Sequence, residues 1–193
     1  MYEYIQGEID ELNPAYLVLQ CGGVGYALHI SLNTFSGLQG STSAKVYTHF
    51  IIREDAHLLY GFATTSEREL FRNLLSVNGV GAATALMMLS SLSPDEIIAA
   101  IASENVGLLK SVKGIGIKTA QRIIIDLKDK VGKAALPEQI LIPADNTIRN
   151  EALSALVMLG FARKDADAAL GKVMKENPGI TVEAVIKLTL KRL

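Results

Sequence analysis

Two stretches of this chain, 35 residues apart, repeat one pattern of glycine and small apolar residues. Val77-Asn78-Gly79-Val80-Gly81-Ala82-Ala83-Thr84-Ala85 lines up with Val112-Lys113-Gly114-Ile115-Gly116-Ile117-Lys118-Thr119-Ala120. Around them Leu74 matches Leu109, Met88 matches Ile123 and Leu92 matches Leu127. Each copy reads as a helix, a tight Gly-x-Gly hairpin and a second helix. Glycine permits positive φ in the turn and removes a Cβ from the surface that a ligand approaches. The N–H groups that open the following helix then point outward, where the helix dipole also favours an anion. Such a site can hold a phosphate without reading any base. In the second copy Lys118 and Arg122 lie one turn apart on the polar face, and Ile117, Ala120, Ile124 and Leu127 form the apolar stripe. A lone Gly-x-Gly is more often an ordinary helix–helix turn. Two copies at a fixed offset, each followed by Thr-Ala, are far more specific.

Other chemistry is less well supported by residue type and spacing. Gly116-Ile117-Lys118-Thr119 has a superficial likeness to a phosphate-binding P-loop, but that motif needs adjacent Gly-Lys after a strand. Here Ile117 intervenes and a helix precedes, so no ATPase site is expected. His29, His49 and His57 fall in β-patterned runs without cysteine or carboxylate at ligand spacing, so neither a metal nor a cofactor is expected. Cys21, the only cysteine, sits beside a glycine turn and reads as a small buried or half-buried thiol. No serine or threonine lies in a nucleophile elbow.

The elements that must position the repeat follow from periodicity. Over residues 1–63 five β-rich runs, YEYIQGEIDEL, AYLVLQ, GYALHIS, AKVYTHFII and AHLLYGF, are separated by Asn-Pro, Gly-Gly and Gly/Ser signals. Five short strands in so few residues predict a five-stranded barrel of the OB type. From Thr64 the period becomes helical, with Ser66 and Glu69 as a capping box and Ser93-Pro94-Asp95-Glu96 as another. Residues 133–146, with Pro137 and Pro143 and no sustained period, read as a flexible linker. Residues 147–193 read as three helices, the first with Ile148, Ala152, Leu156 and Leu159 on one face. A second spans about 164–175, and the third aligns Val182, Ile186, Leu190 and Leu193. The predicted fold class is thus α+β and multidomain: a barrel at 1–63, paired hairpins at 64–132, a linker and a small three-helix module.

The chain has 193 residues, 49% of them hydrophobic, with 19 Lys+Arg against 20 Asp+Glu. No apolar run is long enough for a membrane span, and the N-terminus lacks the pattern of a secretory signal. A single cysteine fits a reducing, cytoplasmic setting. The formal charge of −1 by itself argues against a nucleic-acid binder. Split by segment it says something else. Residues 1–63 hold two basic and six acidic residues, whereas 107–132 hold six basic against Asp126 and Asp129. Residues 151–193 hold seven basic and five acidic residues.

The repeat has the form of a tandem helix-hairpin-helix domain, a minor-groove phosphate binder of many DNA repair proteins. The barrel adds Gly22-Gly23-Val24-Gly25-Tyr26 and the run from Thr48 to Phe62, THFIIREDAHLLYGF. With these segments the chain resembles, along its whole length and in order, the RuvA family of Holliday-junction-binding subunits of bacterial branch migration complexes. The resemblance implies a non-catalytic scaffold for recombination, DNA repair and the SOS response to DNA damage. It implies a homotetramer, alone or as two tetramers face to face, holding a four-way junction open and square. The implied partners are the RuvB hexameric ATPase and the RuvC resolvase, with no membrane. Gly79, Val80, Gly81, Gly114, Ile115 and Gly116 would hold phosphates, supported by Lys118, Thr119 and Arg122. Glu54 and Asp55 would form an acidic pin at the centre of the tetramer, repelling phosphates at the crossover. The C-terminal module would bind the motor through apolar surface left over from core packing. Leu156, Leu159 and Phe161 are the first candidates for that surface, then Leu190 and Leu193.

The chain departs from the family pattern where many members carry proline and lysine and it has Ala82 and Ala83. On that ground the first hairpin is expected to grip phosphate less strongly than the second. Gln6 also replaces a position that is often basic. Two rivals have their own requirements. A helix-hairpin-helix glycosylase or nuclease has only Asp126 and Asp129 to work with, spaced like ordinary solvated residues. A single-strand binder would use Tyr26, Tyr47 and Phe50 on the barrel, in a chain with 6% aromatic residues and no tryptophan.

Overall fold

The alternation of the first 62 residues closes into a barrel in the computed structural model, which describes residues 2–134, 144–177 and 179–193. Its strands are β1 (Tyr4–Leu12), β2 (Tyr16–Cys21), β3 (Val24–Ile30), β4 (Ser43–Ile52) and β5 (His57–Phe62), in the order β1-β2-β3-β5-β4. β1 pairs antiparallel with β4 through its first half and with β2 through its second, and a bulge between Ile9 and Glu11 lets it bend from one to the other. β3 and β5 pair in parallel through His29–Tyr60 and Ile30–Gly61, which seals the barrel and leaves no open edge. Ile5, Leu17, Leu19, Leu28, Ile30 and Val46 point inward and are buried. Cys21, expected to be at least half-buried, is exposed at the end of β2, because the glycine turn carries it beyond the barrel wall.

Between β3 and β4 lies a helix the periodicity did not announce, α1 (Leu32–Leu38), capped by Ser31, whose side chain accepts the Thr34 N–H. Two turns are too short for a helical period to stand out in a β-patterned run. Helix α2 (Thr65–Leu75) begins at Thr64, which accepts the Glu67 N–H, so the expected cap at Ser66 is displaced by two residues. The reason is tertiary. Glu67 is buried, its carboxyl accepting hydrogen bonds from Ser31 Oγ and from Thr34 Oγ1 at 2.7 Å, while Glu69 stays outside with Arg72 at 2.8 Å.

Helices α3 (Ala82–Ser91), α4 (Pro94–Ala102), α5 (Val106–Lys110) and α6 (Ile117–Ala134) complete this unit. The expected capping box at Ser93 and Glu96 is formed, with Pro94 in the first turn, and those hydrogen bonds lower the Glu96 pKa. Tyr60 and Phe62 of β5 share a core with Phe71, Leu74, Met88, Ile101, Leu109 and Ile123, and the Phe62 and Phe71 rings lie 4.9 Å apart. Barrel and helices thus pack as one unit, Met1–Ala135.

The second unit is Leu136–Leu193. Its helices α7 (Ala144–Met158), α8 (Arg163–Glu176) and α9 (Val182–Leu190) enclose Ala152, Leu153, Leu156, Ala166, Leu170 and Val185. Most of the segment read as a linker, 135–143, lies outside the described residues. At its two ends α6 runs through Ala134 and α7 starts at Ala144.

Candidate nucleic-acid interface

The two hairpins repeat bond for bond. Val77 N–H donates to Leu74 C=O at 3.1 Å, Val80 N–H to Val77 C=O at 3.0 Å and Ala85 N–H to Gly81 C=O at 2.9 Å. Thirty-five residues on, Val112 donates to Leu109 at 3.3 Å, Ile115 to Val112 at 3.1 Å and Ala120 to Gly116 at 2.9 Å. Val77, Val80, Val112 and Ile115 are buried and anchor the turns, leaving the glycines outside.

The glycines differ in what requires them. Gly79 has φ +92° and Gly114 +91°, conformations in which any side chain is strained, so the turn itself demands glycine. Gly81 has φ −89° and ψ 171°, ordinary extended backbone, and a Cβ built there or at Gly116 would meet nothing within 4 Å. Among the described residues no steric contact calls for glycine at those two positions. Both face open space at the start of a helix. Gly81 is the N-cap of α3 and provides no side-chain hydrogen bond, so the first amides of α3 keep their donor capacity for an outside acceptor. Gly116, just ahead of α6, likewise has no side chain with which to cap it.

Lys118 and Arg122 are exposed on α6 and Thr119 is half-buried beside them. The buried stripe of α6 is Ala120, Ile123, Ile124, Leu127 and Val131; Ile117, expected in it, is 54% exposed because it precedes the first packed turn. Arg122 does not stay with its own hairpin. Its guanidinium donates to the Asn78 carbonyl of the first hairpin at 3.1 Å, a contact between the repeats that spacing within one repeat could not reveal.

Glu54 and Asp55 are exposed at the tip of the β4–β5 hairpin, closed by Arg53 N–H donating to Ala56 C=O at 2.8 Å. Beside the barrel, His49 is held below its ordinary pKa by burial and by Arg72 and Arg68. Tyr26, Tyr47 and Phe50, the candidate stacking platform, are half-buried. The Tyr2 ring packs edge-on against Tyr26 and Phe50, and Lys45 and Arg68 lie over Tyr47. Asp126 and Asp129 are exposed on α6, and among the described residues no three His, Cys, Asp or Glu side chains cluster as metal ligands.

In the second unit Leu156 is fully buried between the helices, so it cannot offer its side chain to a partner. Leu159 is 60% exposed, Leu190 and Leu193 are exposed, and Phe161 is half-buried against the core. The structure adds Val157 and the 89%-exposed Met158, which helical spacing alone did not separate from core positions.

Family models match this arrangement along the chain. One described as RuvA N terminal domain matches residues 1–61, a SAM-like Helix-hairpin-helix tandem matches 71–129, and RuvA, C-terminal domain matches 147–193. Full-length relatives agree. A protein of Christiangramia forsetii is 52% identical over 193 residues, one of Bacteroides fragilis is 53% identical over 201, and one of Flavobacterium psychrophilum is 50% identical over 193. In each case all of both chains is covered, and each relative is named Holliday junction branch migration complex subunit RuvA. The chain belongs to the RuvA family. The RuvA N-terminal match covers the barrel and its acidic hairpin up to Gly61, and the tandem match contains both Gly-x-Gly turns. The RuvA C-terminal match begins within α7 and takes in all of α8 and α9.

Proposed function

We propose that this chain binds four-way junction DNA by shape, holds it open, and recruits a hexameric ATPase that drives branch migration in recombination and repair. The observation that carries the reading is the pair of outer glycines. Gly81 and Gly116 have open space where a Cβ would point; each stands at the start of a helix, and at Gly81 the amides that open α3 have no side-chain cap. A phosphate oxygen fits that combination of open space and N–H donors, and the names of the relatives supply the DNA.

In this reading residues 1–63 are the barrel with an acidic pin at Glu54 and Asp55, and 64–132 are the DNA-binding domain. Residues 135–143 connect α6 onward to α7 and the motor-binding domain at 147–193. Gly79, Val80, Gly81, Gly114, Ile115 and Gly116 contribute backbone, and Lys118, Thr119 and Arg122 contribute side chains. Leu159, Leu190 and Leu193, with Met158, form the apolar surface offered to the motor, and Phe161 supports it from the edge of the core. The chain acts without catalysis of its own as the DNA-binding subunit of a cytoplasmic complex, assembled as a tetramer around the crossover.

A gel shift with the full chain and excess competitor tests the reading. Four-way junction is expected to be retained where linear duplex and single strand are released. Equal affinity for junction and duplex would sink it, and nicking or base release by the protein alone would favour an enzyme.

A further inference from the structure

The two hairpins are alike in backbone and unlike in charge. Residues 76–91, the whole first hairpin with α3, contain no charged side chain. Where the second copy has Lys113, Lys118 and Arg122, the first has Asn78, Ala83 and Met87. An amide cradle without a cation would be the weaker anion site, as the residues of that segment alone suggest.

Tertiary structure changes this. Arg122 crosses to the first hairpin and donates from Nη1 to Asn78 C=O at 3.1 Å. Two turns further along α6, Lys130 Nζ lies 3.2 Å from Ser76 Oγ, where α2 ends and the same hairpin begins. The first hairpin therefore lies alongside α6, and among the described residues the two cations hydrogen-bonded to it, Arg122 and Lys130, come from that helix. A guanidinium has five N–H donors; one bond to a carbonyl leaves the others for an oxyanion. Arg122 is exposed, and that bond holds its guanidinium at the first hairpin.

We propose that Arg122 is the phosphate-binding cation of the first hairpin, supplied across the repeat, while Lys118 serves the second. Lys130, donating to Ser76 Oγ, links the end of α2 to α6. The ligand is a DNA backbone phosphate, so the inference rests on the junction-binding reading. It also replaces the expectation that the first hairpin grips weakly for want of a neighbouring cation.

The test is a set of double-mutant cycles on the full chain, read as junction dissociation constants over a range of KCl concentrations. Gly81→Asp and Gly116→Asp block one hairpin each, because a carboxylate at the start of the helix occupies the anion position and favours the cap. Arg122→Gln alone is expected to weaken binding about tenfold, as loss of a charge-assisted hydrogen bond should. With Gly81→Asp it should cost less than about twofold, and with Gly116→Asp the full factor, because only contacts at one shared site are non-additive. Lys118→Gln should show the mirror pattern. The salt slope should fall by about 0.9 for each Arg122 that contacts a phosphate. Coupling of Arg122 to Gly116 instead of Gly81 would overturn the assignment. Weaker binding with an unchanged salt slope would also overturn it, leaving Arg122 as a strut between the hairpins. If neither aspartate variant weakens junction binding, the hairpin reading itself fails, and that outcome is distinct from the other two.

Discussion

At the scale of single residues, four glycines of one motif divide into two physical roles. Gly79 and Gly114 hold φ near +90°, so alanine there is strained and should cost about 1–2 kcal/mol of stability. Gly81 and Gly116 are free of that constraint and have open space where a Cβ would point. Gly81→Asp should leave the urea midpoint almost unmoved, since aspartate and glycine caps differ by only a few tenths of a kcal/mol. Junction binding should nevertheless fall at least about tenfold, through repulsion and the loss of an amide–phosphate contact. Equal damage to folding from Gly81 and Gly79 substitutions would contradict the division. The acidic pair makes the opposite prediction. Glu54→Gln with Asp55→Asn removes two exposed carboxylates that make no hydrogen bond or ion pair with their side chains among the described residues, so junction binding should hold or tighten while branch migration by the complete motor changes. A collapse of binding would rule out repulsion as their role.

At the scale of elements, the junction between barrel and hairpins depends on a short helix. α1 meets α2 through Ser31, Thr34 and Glu67, and the Ala63 N–H donates to Thr34 Oγ1 at 3.1 Å. The same helix start reaches α3, with Asn33 Nδ2 donating to Leu92 C=O at 2.9 Å and Leu32 N–H to Ser90 Oγ at 3.1 Å. Through α1 the barrel, and with it the acidic hairpin, is fixed to the helix that opens at Gly81. Glu67→Ala strands two buried hydroxyls and opens a gap, a loss of about 2–3 kcal/mol. Thermal unfolding should show a clear fall in Tm, and Glu67→Gln, which keeps one acceptor, should recover part of it. A Tm unchanged by Glu67→Ala would mean that the buried network contributes little. Periodicity could not locate this contact. Glu67 and Glu69 are equally good cap partners in one dimension, and only the position of α1 buries one of them.

At the scale of the whole molecule, the two units have separate cores, and the proposed function gives each its own task. A chain ending at residue 145 retains every element that packs in the first unit and should bind junction with unchanged affinity. It should lose stimulation of the ATPase completely, whereas Met158→Asp with Leu159→Asp in the full chain should weaken that stimulation without unfolding the module. Loss of junction binding on truncation would place DNA contacts in the second unit. The formal charge of −1 suits such a protein. Backbone amides carry no formal charge, so phosphate binding through them does not require a basic surface of the kind that coats any duplex.

The amino-acid sequence by itself determined whatever depends on neighbours along the chain. Five strands follow from alternation and turn residues, and the twin hairpins from glycine spacing. The cap at Ser93 follows from a four-residue pattern, and the family from motifs in order. Tertiary structure alone decided which of two similar residues does which task. It buried Glu67 and left Glu69 outside, buried Leu156 and exposed Met158, exposed Ile117, and carried Arg122 to the hairpin 44 residues before it. The physical reason is common to all of these. Periodicity assigns a residue to a face of its own element, but burial and pairing depend on what packs against that face, which is a property of chain segments far apart in sequence.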